Sequence, residues 1–457
     1  MVTITASHTV IPNQSTPKTR LWLSDNDHVV RLGHTPIIYV YKAKHNHEAI
    51  ERMRTSLTEI LVHYYPVGGR LSWIEERGRL ELDCNAKGVI LLEAETTKTL
   101  DEYGDFSPTY PIKDLIPTID YTQPIEELPL LLVQLTTFHR DQSLAMGVAI
   151  SHILFDGVAT IQFINSWAKL ARGDTLDPDE MPFLDRTILK FPHSPLAPRF
   201  DHPELKPPPL ILGTSDCTNE QKKKTTAASL KLTSEEVEKL KKKANDQSQK
   251  DGSRPYSRYE AIAAHIWRCA SKARELDDNQ PTLVRFNADI RSRLNPPLPS
   301  NYSGNALART VTSTCYVGEL ISNPLSYAAQ MIRESVELLT NEYIRSQLDV
   351  ILGQEVLDCL RAFVLRQGEL MIAPFSGNPN LHLTSWMSMP MYEADFGRGK
   401  PVHFGLGYVS PHDRALIIPS PDGDGSVIVS MHFQMAHMQL FKKFFYDDIC
   451  VGVRSSL

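Results

Sequence analysis

The stretch Ser151-His-Ile-Leu-Phe-Asp-Gly157 follows directly on an apolar run, Ala145 to Ile150, and precedes a helical pattern from Gly157 to about Ala171. A short apolar run that ends in polar residues and a glycine reads as a buried strand giving way to a turn and then a helix. His152 therefore stands at a strand end, where packing anchors its backbone while its ring can reach a cavity. A general base needs that combination, because it must be held rigidly and titrate near neutral pH. Asp156 lies four residues on, with Gly157 behind it. A lone histidine in such a place is also a common hydrogen-bonded core residue, so the surrounding chain has to decide between the two.

Upstream, strands are expected at Ile37 to Val40, Leu80 to Cys84, Val89 to Glu93, Leu130 to Thr137 and Leu144 to Ile150. A helix is expected from about Ala49 to His63, stopping at Tyr65-Pro66-Val67-Gly68-Gly69. Downstream, prolines 192, 195, 198, 203 and 207–209 crowd one segment, which reads as an extended crossover rather than a helix or central strand. Thr233-Ser-Glu-Glu236 opens a charged helix, and Ser257-Arg-Tyr-Glu260 is a capping box ahead of Ile262, Ala263, Ile266 and Trp267. Further strands are expected at Leu283 to Ile290, Leu381 to Trp386 and Ser426 to Phe433, and a last helix near Met435 to Phe445. Strands and helices in mixed order point to an α/β protein with mixed sheets. At 457 residues the chain exceeds one ordinary core. Three parts are expected: residues 1–190 as an N-terminal domain, 191–225 as the proline-rich crossover, and 226–457 as a C-terminal domain.

Bulk properties exclude several classes. A net charge of −6 gives no general attraction to nucleic acid or anionic membrane. The apolar runs are far too short to span a bilayer, and the start, MVTITASHTV, has neither the basic region nor the apolar core of a secretion signal. The 6 cysteines show no CxxC or CxxH spacing, which argues against zinc and against a disulfide framework. A cytoplasmic setting is the expectation, with no metal, no nucleic-acid partner and no membrane partner. No P-loop or GxSxG element is present, and Asp422-Gly-Asp-Gly425 reads as a hairpin turn rather than a calcium loop.

Four groups of residues, in order, resemble the plant BAHD acyltransferases. His152-Ile-Leu-Phe-Asp156-Gly157 is similar to the family's HxxxDG motif, and Tyr65-Pro-Val-Gly-Gly-Arg70-Leu71 to its YPxAGRL element. Asp289-Ile-Arg291-Ser-Arg293 with Pro296 to Pro299, Tyr302, Gly304 and Asn305 resembles its central signature. Asp395-Phe-Gly397-Arg398-Gly399 resembles the DFGWG motif, with Arg398 in place of tryptophan. The likeness spans about residues 5 to 450 and is greatest to the spermidine hydroxycinnamoyltransferases, within the group that also holds shikimate and quinate enzymes.

The resemblance implies two similar-sized domains, each a mixed sheet flanked by helices, in the fold of chloramphenicol acetyltransferase with a solvent channel between them. It implies a coenzyme A thioester as co-substrate, no resident cofactor, direct transfer without a covalent acyl-enzyme, and a monomer. His152 becomes the general base. Asp156 could orient the imidazole, or it could form a structural ion pair with Arg291. Thr384-Ser-Trp386 resembles a segment in which the indole N–H stabilises the oxyanion and the threonine helps place the acceptor, although Trp386 could equally be core packing. Ser257, Arg254 and Arg258 are expected to receive the thioester's phosphates at a helix start. Asp395, Gly397 and Gly399 are expected to be structural, and Gly157 to allow a tight turn.

His34 and Glu369 are expected at the acceptor. Residues 367–378, where shikimate enzymes are expected to carry an arginine, contain no Arg or Lys and do contain Glu369, which suits a polycation. The expected activity is hydroxycinnamoyl transfer from coenzyme A to a polyamine nitrogen such as spermidine's. The alternatives are O-transfer to shikimate or quinate, and an inactive family member that acts as a binding protein.

Overall fold

A computed structural model describes every residue except 29, 31–32, 43–47, 75–78, 108–109, 191–198, 247–253, 352–376, 408–412 and 451–457. Numbered along the chain, the first half supplies β1 (Val2–Val10), β2 (Arg20–Trp22), β3 (His34–Tyr41), β4 (Arg70–Ile74), β5 (Arg79–Asp83), β6 (Val89–Thr96), β7 (Leu131–Phe138) and β8 (Leu144–Ser151). The second half supplies β9 (Thr225–Leu232), β10 (Pro281–Thr282), β11 (Val284–Asp289), β12 (Leu307–Val311), β13 (Cys315–Tyr316), β14 (Leu381–Ser385), β15 (His403–Leu406), β16 (Arg414–Pro419) and β17 (Val427–Gln434).

Two six-stranded mixed sheets dominate, in the orders β1-β6-β7-β8-β3-β15 and β12-β11-β14-β16-β17-β9. In the first, β6 and β7 run parallel; in the second, β14 runs parallel to both β11 and β16. β8 is buried along all of its 8 residues, which is why its sequence is a continuous apolar run rather than an alternating one. The helices Glu48–His63 and Gly157–Ala171 pack against each other beside the first sheet. Trp167 is fully buried there and donates its indole N–H to Met53 O (3.1 Å) and Ser56 Oγ (3.0 Å). On the second sheet, the helices Ser234–Asn245, Arg258–Arg274, Leu325–Glu337 and Met435–Cys450 share one apolar core around Trp267. The capping boxes read at Thr233/Glu236 and Ser257/Glu260 are both formed. The Asp422–Gly425 segment lies between the antiparallel strands β16 and β17, as a hairpin turn should.

The partition into residues 1–190 and 226–457 needs a correction. β15 leaves the second half and pairs antiparallel with β3, from His403 opposite Val40 to Leu406 opposite Ile37. Met391, Ala394, Phe396 and Phe404 go with it into the first core. The edge of β3 carries backbone N–H and C=O groups that need partners, and among the described residues β15 supplies them. The crossover ends where β9 begins at Thr225, and its proline-rich residues 191–198 lie outside the described residues. Pro209 O accepts from Asn380 Nδ2 (2.7 Å) and Leu212 N donates to Gln280 Oε1 (2.8 Å), so this segment is laid along the second half.

Candidate active site

His152 follows β8 in a turn held at both ends by other parts of the chain. Its backbone N–H donates to Gly33 O (2.9 Å), and its carbonyl accepts from Asn305 Nδ2 (2.9 Å). His152 is half-buried, in a turn tied to Gly33 of the first half of the chain and Asn305 of the second. Two residues on, Leu154 O accepts from Arg186 Nη2 (2.7 Å).

Asp156 is taken up by contacts with the backbone and with Arg291. One carboxylate oxygen caps the helix Gly157–Ala171 by accepting from Ala159 N (2.9 Å) and also accepts from Arg291 Nη2 (3.1 Å). The other accepts from Arg291 Nη1 (2.8 Å) and Ala306 N (3.0 Å). With four donors on a side chain that is 0% exposed, the carboxylate is engaged in the structural ion pair, one of the two roles open from sequence. Burial penalises the Arg291 charge, yet Asp156 and then Asp289 raise its pKa above the ordinary guanidinium value.

Gly157 serves a purpose other than the expected turn. It is the first residue of its helix, and a Cβ there would fall 2.8 Å from Trp386 Cε2 and 2.9 Å from Nε1. Absence of a side chain lets the indole lie against the start of this helix, directly beside the His152 turn. Trp386 follows β14, donates its backbone N–H to Ile417 O (2.8 Å) and packs 5.8 Å, ring to ring, from Phe404 of β15. Thr384, two residues earlier, lies in the register of β14 opposite Leu416 and is partly exposed. Gly157, five residues after His152, therefore lies against Trp386, and Thr384 belongs to β14, the strand that leads into that tryptophan.

Other expectations need correcting. His34 sits opposite Ser151 on β3, near the site, but both its ring nitrogens are used. Pro129 O can only accept, so Nε2 (2.8 Å) carries the proton and Nδ1 accepts from the Tyr121 hydroxyl (2.9 Å). Burial lowers its pKa to about 4, so the ring is a neutral wall rather than a handle for the acceptor. The helix start at Ser257 is closed on itself: Ser257 N donates to Glu260 Oε2 (2.6 Å) and Glu260 N to Ser257 Oγ (3.2 Å). Arg254 pairs with Glu260 (2.8 Å) and Glu337 (3.4 Å), while Arg258 donates to Gly425 O. Burial would raise the Glu260 pKa, but hydrogen bonds from Arg333, Arg254 and Ser257 hold it at about 2. A phosphate approaching there meets a carboxylate, so this start is not the free anion site expected of Ser257, Arg254 and Arg258.

Glu369 lies outside the described residues. Asp395 Oδ1 accepts from Gly397 N (2.8 Å), Arg398 N (3.0 Å) and Gly399 N (2.8 Å), and both glycines take positive φ, 82° and 88°. Arg398 reaches Gln142 O (2.9 Å) in the turn before β8. His152 follows the other end of that strand, roughly 25 Å away at 3.3 Å per residue.

Three residues central to the turn, Asp27, Arg186 and Asn305, had no role in the sequence reading. Asp27 Oδ1 accepts from Asn305 N (3.0 Å) and Asn305 Nδ2 (2.9 Å), and its Oδ2 lies 3.1 Å from Arg186 Nε in an ion pair exposed by no more than 1% on either side. Asn305 stood in a quoted motif, but a contact with Asp27 across 278 residues leaves no local spacing to read.

A model of the Transferase family matches residues 1–448. Hydroxycinnamoyl-CoA:piscidic acid hydroxycinnamoyltransferase of Actaea racemosa is 42% identical over 98% of this chain and 100% of its own. Shikimate O-hydroxycinnamoyltransferase of Nicotiana tabacum is 38% identical over 98% and 99%. A hydroxycinnamoyl-CoA:5-hydroxyanthranilate N-hydroxycinnamoyltransferase of Avena sativa is 37% identical over 98% and 99%. Vinorine synthase superposes with a TM-score of 0.70 over 96% of both chains at 21% identity. F. graminearum TRI101, complexed with coenzyme A and T-2 mycotoxin, superposes with a TM-score of 0.71 over 92% of this chain and 96% of its own, at 18% identity. These two likenesses show the two-domain fold. With the family model matching nearly the whole length, the chain belongs to the Transferase family of BAHD acyltransferases, enzymes that draw the acyl group from a coenzyme A thioester and need no resident cofactor.

Proposed function

We propose that this chain transfers a hydroxycinnamoyl group from coenzyme A to a nitrogen of a polyamine such as spermidine. The donor half of the reading is supported by the three relatives above, each named for hydroxycinnamoyl transfer. The acceptor half rests on one observation, the absence of Arg and Lys from residues 367–378 together with Glu369. A carboxylate suits a distal ammonium group, whereas an acidic acceptor wants a cation there.

In this reading His152 takes the proton from the attacking nitrogen as the N–C bond forms to the thioester carbonyl. The oxyanion that develops accepts from the Trp386 indole N–H, a donor of a kind worth about 10²–10³ in rate. The C–S bond then breaks and the imidazolium returns its proton to the departing thiolate, so no acyl-enzyme forms. Thr384 helps place the acceptor, and substrates enter through a channel between the halves, the thioester from one mouth and the amine from the other. The enzyme works as a monomer in the cytoplasm.

A second reading, O-transfer to a hydroxy acid, is favoured by the acceptors named for the relatives at 42% and 38% identity. Incubation with p-coumaroyl-CoA and, separately, spermidine, putrescine, agmatine, shikimate and piscidic acid distinguishes them. Amide products with spermidine support the polyamine; ester products alone refute it. Absence of thioester cleavage with every acceptor would mean a binding protein.

A further inference from the structure

We infer that Asn305, oriented by the buried Asp27–Arg186 pair, is a positioning residue that holds the backbone of His152. The inference rests on the reading of His152 as the base.

Three acceptors surround the Asn305 amide nitrogen: Asp27 Oδ1 (2.9 Å), His152 O (2.9 Å) and Ile153 O (3.2 Å). All three can only accept, so the atom facing them must be the NH₂. Asn305 itself is 0% exposed, so no water competes for these bonds. Its backbone N–H also donates to Asp27 Oδ1 (3.0 Å), which fixes the residue at two points. Asp27 is fixed in turn, because Ser24 N (2.8 Å) and Ser24 Oγ (2.7 Å) donate to the oxygen that pairs with Arg186. Arg186 then continues to Leu154 O (2.7 Å).

The consequence is that three successive carbonyls, those of His152, Ile153 and Leu154, are each held by a buried side chain from elsewhere in the sequence. Elsewhere in a fold such carbonyls are satisfied by sheet or helix partners. Here β8 has just ended and the next helix has not begun, so the turn has no ladder of its own. Asp156 fixes the far side through Arg291, while the Asn305 group fixes the side that carries the imidazole. A ring at the end of an unheld turn would wander by more than the tolerance of proton transfer, and a misplacement of about 1 Å can cost roughly 10²-fold.

The test is a double-mutant cycle on kcat. Asn305→Ala should lower kcat by about 10–100-fold, while KM for the thioester and for the acceptor moves less than about 3-fold. In a His152→Ala background the same change should lower the residual rate by less than about 2-fold, because there is no base left to position. Equal losses in both backgrounds, or a change confined to KM, overturn the inference. If His152→Ala alone keeps the parental rate, the base assignment falls, and the positioning role falls with it. Should Asn305→Ala fail to fold, Arg186→Lys removes the donor to Leu154 O while keeping a charge on Asp27. It should show the same non-additivity with His152→Ala, and additive losses would overturn the inference equally.

Discussion

Asp156→Ala is expected to act on the fold rather than on the chemistry. The substitution removes a helix cap, worth about 1 kcal/mol. It also strips a buried guanidinium of its main partner, a loss of about 3–5 kcal/mol in buried pairs. Arg291 keeps Asp289 Oδ1 (2.9 Å), Tyr302 O (3.0 Å) and Gly304 O (3.1 Å), so the lower end of that range applies. The total is about 4 kcal/mol. For a unit of about 200 residues each kcal/mol shifts the melting temperature by roughly 2–4 °C, so a fall of roughly 8–16 °C is expected. The assay pairs a thermal melt with initial rates measured well below both transitions, beside His152→Ala as the chemical control. His152→Ala should lose about 10²–10⁴ in rate with its melting temperature unchanged. If Asp156→Ala melts within 2 °C of the parent yet is slowed 100-fold, Asp156 acts on the imidazole and the structural assignment is wrong.

Other outcomes follow from the same contacts. Gly157→Ala should lower kcat about 10-fold with little change in melting temperature, because the new methyl displaces the Trp386 indole from 2.8 Å; an unchanged kcat would remove Trp386 from the site. Arg254→Ala should leave KM for the thioester unaltered and cost at most about 1 kcal/mol, since its exposed charge serves Glu260; a severalfold rise in KM would restore it as a phosphate contact. The buried imidazoles of His34, His265, His403 and His432 are each held by desolvation at a pKa of about 4, below the ordinary 6.5. The unfolded chain binds more protons than the folded one between those values, so stability falls as pH drops from 6.5 toward 4, by up to about 1.4 kcal/mol per pH unit for each ring. Equal melting temperatures at pH 7 and pH 5 would contradict this. Amide formation should accelerate above pH 7 as more of the attacking amine becomes neutral; a sharp decline there speaks against an amine acceptor.

The parts of the fold that could be read from sequence are those whose signal is local. β8 announces itself as an unbroken apolar run, and the helix after it begins at Gly157, where the helical pattern begins. β15 was invisible: it is 4 residues long, has no apolar run, and exists only because β3 lies ready to pair with it. β1 was missed for another reason, since an edge strand with mostly exposed side chains lacks a clear hydrophobic pattern. At the site the contrast is similar. His152 and Asp156 are marked by a motif, while the partnership of Asp27 with Asn305 depends on two distant segments arriving together. The Ser257 capping box was legible as geometry, yet the glutamate that completes it also brings the negative charge that spoils it for phosphate.

The return of β15 to the first sheet has a bearing on how this molecule is born. During synthesis the nascent N-terminal half leaves the ribosome with the open margin of β3 unclaimed, and its complement is not translated until more than three hundred and fifty codons later. Until that moment Phe404 cannot pack against Trp386, 5.8 Å away ring to ring. Expression of residues 1–190 by themselves would leave a bare, aggregation-prone sheet margin; appending residues 391–407 through a linker should restore solubility to that fragment.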